Sequence, residues 1–200
     1  MKYKLWLLLV VVLLAGCDKD DTWVTNDCTA FMMVDFIPSN SIKDLQNSIN
    51  PDELYNDGPL HPGVVNKLHV TLADYLDRNI SIEELRPYLM ELSAYKITLT
   101  GITKFTGKSR TGTPYDILVA IVDGEAFNKT NQLIMSNFRN NSKKAYEPHM
   151  TIAYLKAGCA DKYISSEPFP PVELNPVSFF YSYTDEKGNI QEFHFGDTND

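Results

Sequence analysis

The sequence predicts an α+β fold: two pseudo-symmetric lobes of antiparallel sheet with outer helices, their His-x-Thr strands facing a central cleft. Two observations predict it. The order strand, helix, strand, helix, strand is read twice along the chain, with first strands starting near residues 30 and 115 and third strands near 95 and 172. Within that pattern Leu68-His69-Val70-Thr71-Leu72-Ala73 returns eighty positions later as Pro148-His149-Met150-Thr151-Ile152-Ala153. Outside these central strands the two halves share little sequence, so what repeats is the pattern.

The chain divides into residues 1–16 as a signal segment, 17–29 as a tether and 30–197 as the bilobal domain, its lobes mixing about 30–106 and 107–197. Lys2 and Lys4 precede ten unbroken apolar residues, Leu5 to Leu14, too few to span a bilayer and right for the core of an export signal. Leu14-Ala15-Gly16-Cys17 follows and resembles the lipobox of bacterial lipoproteins. That resemblance implies a fatty-acylated diacylglycerol on Cys17 and a chain anchored outside the cytoplasm. Asp18 resembles the signal that keeps such proteins at the periplasmic face of the inner membrane. The acidic stretch Asp18 to Asp27 reads as the tether.

Ala30 to Ile37 is a short apolar run closed by Pro38 and reads as a strand. Ile42, Leu45 and Ile49 recur at helical spacing, with Ser41 as the expected N-cap and Pro51 as the stop. Asn56 to Gly63 holds two Gly and two Pro and reads as a loop. Lys67 to Tyr75 alternates as a half-buried strand, and Ser81 with Glu84 has capping-box spacing for a helix reaching about Leu92. Tyr95 to Phe105 is β-rich with a bend expected at Gly101, and Gly107 to Pro114 is a turn-rich loop. The second pass gives a strand at Tyr115 to Asp123 and a helix at Glu125 to Phe138, with Phe127, Leu133, Ile134 and Phe138 as its apolar stripe. A polar loop to Tyr146 leads into a strand at Glu147 to Leu155, and Ala160 to Ile164 is expected to make a short helical turn. Val172 to Tyr183 reads as a strand interrupted at Pro176, and Glu186 to Asn189 turns into a last strand, Ile190 to Phe195.

Composition limits the function. Without the two lysines of the signal, sixteen basic residues stand against twenty-six acidic ones, a net −10. A large nucleic-acid surface needs a basic stripe that this chain lacks, whereas a small phosphorylated ligand needs only a local pocket. Beyond Cys17 the cysteines are Cys28 and Cys159, which read either as a disulfide in an oxidising compartment or as two buried free thiols.

Residues two apart on a strand share a face, so His69 sides with Thr71 and His149 with Thr151, while Val70, Leu72, Met150 and Ile152 point to the core. A pseudo-twofold axis would set the two pairs facing each other across a cleft. One neutral imidazole can take a proton from an attacking hydroxyl or water while the other, protonated, gives one to the leaving oxygen. The threonine hydroxyls can donate to non-bridging phosphate oxygens, and β-branching holds them in place. Two His-Thr pairs without clustered Asp, Glu or Cys are a poor zinc ligand field, and neither a phosphate-binding glycine loop nor a Gly-x-Ser-x-Gly motif is present.

On these two His-x-Thr-x motifs, each on a strand preceded by a strand and a helix, the chain resembles the 2H phosphoesterase superfamily over about residues 30 to 195. The resemblance implies a cofactor-free phosphodiesterase, with His69 and His149 as the acid and base and Thr71 and Thr151 as phosphate binders. The implied substrate is a nucleotide or short oligonucleotide: a 2′,3′-cyclic phosphate, or a cyclic or 2′,5′-linked oligonucleotide. The expected partners are that substrate and, through the lipid, a membrane; the protein itself is expected to be a monomer. Two other readings are a lipoprotein that binds a phosphorylated ligand without turnover, and a phage-type surface or exclusion lipoprotein.

Lys108 and Arg110, with Lys104, surround a loop and could clasp a phosphate, although solvated loop charge is the plainer reading. The same holds for Lys143 and Lys144. Tyr154 is the expected base-stacking ring among Tyr75, Phe180, Tyr181 and Tyr183, most of which read as core packing. His61 reads as a loop histidine, and His194 as a polar residue between two phenylalanines of the last strand.

Overall fold

The computed structural model describes residues 28–58, 61–90, 96–109, 111–142, 145–164, 171–185 and 189–195. The export segment, Cys17, most of the tether, Arg110, Lys143 and Lys144 lie outside these residues. The chain runs β1 (Cys28–Phe36), α1 (Asn40–Ser48), β2 (His69–Asp77), α2 (Ile82–Met90), β3 (Ile97–Lys108), β4 (Pro114–Asp123), α3 (Glu125–Asn137), β5 (His149–Lys156), β6 (Val172–Leu174), β7 (Pro176–Thr184) and β8 (Ile190–Phe195), with 3-10 turns at Pro51–Glu53 and Asp161–Tyr163. None of the described helices is long and apolar enough to cross a membrane.

The eight strands form one sheet in the order β6-β3-β4-β5-β2-β1-β7-β8, with every neighbouring pair antiparallel. Its centre is a narrow seam, where β2 and β5 pair through Val70 and Met150. The seam divides the sheet into two four-stranded halves, which are the two expected lobes. Each half draws on both parts of the chain: β3 pairs with β4 in one half, and β7 pairs with β1 in the other. The expected interruption near Pro176 is a crossing between them. β6 ends on β3 at Leu174, and from Pro176, which has no N–H to continue a ladder, the chain starts β7 against β1.

The helices cover one face of the sheet. Val70, Leu72, Met150 and Ile152 are fully buried there with Ile42 of α1, Leu85 and Leu89 of α2, and Phe127 and Ile134 of α3. The capping box that opens α2 forms as read: the Ser81 amide donates to Glu84 Oε2 at 2.9 Å, and the Glu84 amide to Ser81 Oγ at 3.4 Å. The bend expected at Gly101 is a register shift between Leu99 and Gly101.

Some expectations change. α1 is capped by Ser39, not Ser41: Ser39 is extended, and its hydroxyl accepts from the Ile42 amide at 3.3 Å, so the first turn starts at Asn40. The buried face of α3 is Phe127, Thr130, Asn131 and Ile134, and Leu133 is 41% exposed, because helical spacing from Phe127 passes through 130, 131 and 134 and leaves 133 outside. Cys159 is a half-buried free thiol just after β5, and the side chain of Cys28, which opens β1 in the other half-sheet, lies outside the described residues.

Candidate active site

Each motif strand carries a bulge directly after its threonine. Opposite Met33 and Met32 of β1, β2 steps from Thr71 to Ala73; opposite Val119 and Leu118 of β4, β5 steps from Thr151 to Ala153. The residue passed over, Leu72 or Ile152, needs another partner for its carbonyl. In both strands a side-chain amide from a helix reaches it, and Ile152 O also accepts from the Val65 amide at 3.0 Å. Asn131 of α3 donates to Leu72 O at 2.8 Å, and Gln46 of α1 donates to Ile152 O at 3.2 Å and to Val65 O at 2.8 Å. A buried carbonyl left unmatched costs about 1–3 kcal/mol, which explains a polar Asn131 on the buried face of α3. The grip is crossed: the helix from the second pass holds the first motif, and the helix from the first pass holds the second.

The seam brings the four motif side chains together. Continuing the Val70–Met150 register by one residue each way sets His69 beside Thr151 and Thr71 beside His149. All four are half-buried on the face opposite the core. The histidines lie on the diagonal of this rectangle, where neighbours are about 7–8 Å apart and their Cβ atoms somewhat closer. At that spacing the two imidazoles feel each other electrostatically, as the influence of His149 on His69 shows.

Both rings are oriented by the same device. His69 Nδ1 lies 3.2 Å from Lys67 O and His149 Nδ1 lies 2.7 Å from Glu147 O, in each case the carbonyl two residues back. A carbonyl only accepts, so each Nδ1 carries the proton and each Nε2 is left for the cleft. An aromatic ring stands edge-on to each imidazole: Phe180 at 6.1 Å from His69 and Phe105 at 4.8 Å from His149. Burial pushes the His69 pKa below its ordinary value; the Lys67 carbonyl and the Asp35 carboxylate pull the other way, and nearby His149 adds to the lowering.

The two flanks differ. On the His69 side, Lys67 Nζ lies 4.8 Å over the Phe180 ring and His194 stacks on that ring at 5.5 Å. Asp35 pairs with His69 across β1 and β2, and Ser178 donates to its Oδ2 at 3.1 Å. On the His149 side the cross-strand neighbour is Ile121, and a cavity of about 570 Å³ opens beside His149 and Thr71, walled by Phe31, Phe105, Asp74, Asn140 and Glu147 among others. Tyr146 closes its floor by donating its hydroxyl to Thr71 O at 3.1 Å, and its pKa is raised by burial and by Asp74. Among the described residues no group of three or more His, Cys, Asp or Glu side chains is placed to hold a metal.

The remaining candidates stand elsewhere. Lys108 is exposed at the end of β3 and lines neither cavity beside His149. Lys104 is committed to Asp161 at 2.7 Å and Asp116 at 3.6 Å. Tyr154 belongs to a cluster with Tyr55, His61 and Tyr115, three positions beyond Thr151; the His61 ring meets Tyr154 edge-on at 5.0 Å, and His61 Nε2 lies 3.0 Å from the Tyr115 hydroxyl. The Tyr115 ring lies so close to Gly107 that a Cβ there would meet it at 2.5 Å. Sequence reasoning missed Asp35, Asn131, Gln46, Phe105 and Tyr146. One signal was readable: Asp35 is the single charged residue in an otherwise apolar strand run.

No protein-family model matches the chain, and no curated protein matches it. Among solved structures it is similar to Usb1 of Kluyveromyces marxianus, at 8% identity over 86% of this chain and 100% of that one, with a TM-score of 0.49. The same protein with uridine monophosphate is similar at 6% identity over 85% and 100%, TM-score 0.49. LigT of E. coli complexed with 3′-AMP is similar at 14% identity over 84% of this chain and 95% of that one, with a TM-score of 0.41.

Proposed function

We propose that the protein is a metal-independent phosphodiesterase acting on a nucleotide or RNA-end phosphodiester, a 2′,3′-cyclic phosphate or a cyclic or 2′,5′-linked oligonucleotide, by two-histidine acid/base catalysis. The supporting observation is the convergence of His69, Thr71, His149 and Thr151 on one open face across the β2–β5 seam, with both Nδ1 atoms turned to backbone carbonyls. One imidazole takes the nucleophile's proton, the other protonates the leaving oxygen, and the two threonines hold the non-bridging oxygens. The test is turnover of a panel of 2′,3′-cyclic nucleotides and short linked oligonucleotides by the full chain in EDTA. Turnover that disappears in both His69→Ala and His149→Ala supports the enzyme; tight binding of nucleotide with no turnover by the intact protein rejects it in favour of a binding lipoprotein.

Residues 1–17 support lipid anchoring as part of the same proposal. Incorporation of labelled palmitate into the intact chain and its loss in Cys17→Ser would establish it, and a chain that stays unlabelled in a bacterial host would remove it.

A further inference from the structure

The histidines occupy equivalent frames, but only one has a carboxylate for its cross-strand neighbour: Asp35 faces His69, where Ile121 faces His149. Asp35 is 6% exposed. Its Oδ2 accepts from Ser178 at 3.1 Å and lies 3.7 Å from Lys67 Nζ, while its buried Oδ1 has no hydrogen-bond partner. A buried carboxylate oxygen without a donor is unfavourable, and it calls for an account in terms of what the site does. Cross-strand neighbours stand about 4.5–5.5 Å apart at Cβ, so this carboxylate acts on the charge of the His69 ring at short range through a poorly hydrated medium.

We infer that Asp35 is a positioning residue that steadies the protonated form of His69, and that His69 is the general base and His149 the general acid. This rests on the two-histidine reading above and gives its two imidazoles separate parts. The direction follows from space. The cavity of about 570 Å³ opens beside His149 and Thr71 and does not reach His69, so the bulky organic side of the ester sits with His149. The side nearer His69 is left to the small nucleophile, water. As the water oxygen bonds to phosphorus, one water proton passes to His69 Nε2. The bond from phosphorus to one ribose oxygen breaks, and that oxygen takes the proton of His149. Water is thereby added across the ester, His69 ends charged and His149 neutral, and exchange with solvent resets both. Charge builds at His69 as bonds change, which is where Asp35 stands. Solvent exclusion keeps His69 neutral beforehand, as a base must be.

The other charged or titratable groups facing His69 are Lys67 beside it, His149 across the seam, and His194 from β8 behind the Phe180 ring, itself 3.7 Å from Glu192. Lys67 opposes the effect, but its side chain is 60% exposed and water screens it.

The experiment compares the pH profiles of kcat and kcat/KM for the full chain and Asp35→Asn on a 2′,3′-cyclic nucleotide. The substitution keeps shape and the Ser178 contact. Expected are a ten- to hundred-fold fall in kcat, KM within about two-fold, and an acid limb moved down by about one pH unit, since a lost neighbouring carboxylate lowers the pKa of a base. Asp35→Glu should recover part of kcat. A shift of the alkaline limb, an unshifted profile, or a loss confined to KM overturns the inference. A wild type without turnover would sink the hydrolase reading instead. The imidazole titration of His69 by NMR then decides the matter separately: a fall in Asp35→Asn supports the coupling, and an unchanged midpoint overturns it. Should Asp35→Asn fail to fold, Asp35→Thr, neutral and suited to a strand, gives the same test with the same downward shift expected.

Discussion

His69 and His149 are held by one frame and set in two environments. Both have the carbonyl two residues back on Nδ1, a phenylalanine edge-on, a threonine two residues on, and a bulge whose carbonyl is caught by a helix amide. Around the frame the resemblance stops. One flank carries Asp35, Lys67, Ser178 and His194; the other carries Ile121, Glu147 and a cavity with Asp74. The frame requires only that two strands place four side chains alike. The surroundings are free to differ, and on the inference above they give two like imidazoles separate parts.

The most severe test of the shared frame is removal of either ring. His69→Ala and His149→Ala should each lower kcat by about 10²–10⁴, and the double variant should lose little more than the worse single one, because the two act in one step. Unequal losses on the scale of the whole effect would break the equivalence. Next come the hydroxyls: Thr71→Val and Thr151→Val keep shape and β-branching, and each should lower kcat by about 10²-fold with KM changed far less.

The crossed amides allow a comparison by stability. Asn131→Leu leaves Leu72 O unmatched in a buried setting and should cost about 1–3 kcal/mol in chemical denaturation. Gln46→Leu, at a part-buried site, should cost less. The difference in surroundings is sharpened by pH. The His69 pKa lies below its ordinary 6.5, so its neutral form persists into mild acid and the acid limb of kcat/KM should fall below pH 6.5. The sign for stability is the same: stability present above that value is lost as pH falls through the lowered one. The smallest effect belongs to the acidic wall. Asp74→Asn should tighten binding of an anionic nucleotide by a few-fold at low salt, with the gain fading as ionic strength rises.

The motif strands were readable because period-two alternation and a repeated hexad both lie within one short window of sequence. His69, Thr71, His149 and Thr151 meet as expected, since antiparallel pairing at Val70 and Met150 brings equivalent positions together. The mixing of the two stretches between lobes was expected, and β3 reaches its partner β4 across a short connection; that β7 is the strand that closes on β1 was not readable, because that pairing joins residues far apart in the chain. Asn131 and Gln46 were hidden for a related reason: a polar residue on a helix shows no sign that a strand elsewhere has a carbonyl to fill. Leu133 was misplaced because composition marked it apolar while spacing from Phe127 put it outside. Tyr154, read as a candidate stacking ring, meets His61 and Tyr115 in edge-type contacts that no local pattern announced.

The pairing of β1 with β7 sets when the molecule can be completed. During synthesis β1 emerges before the other described strands, yet the neighbour for its outer edge is β7, Pro176–Thr184, the seventh of the eight. Until then a row of backbone amides and carbonyls stays open to any other extended segment nearby. The architecture therefore folds late, through long-range closure: the edge of β1 is made safe only when Ser178, 143 residues beyond Asp35, has joined it.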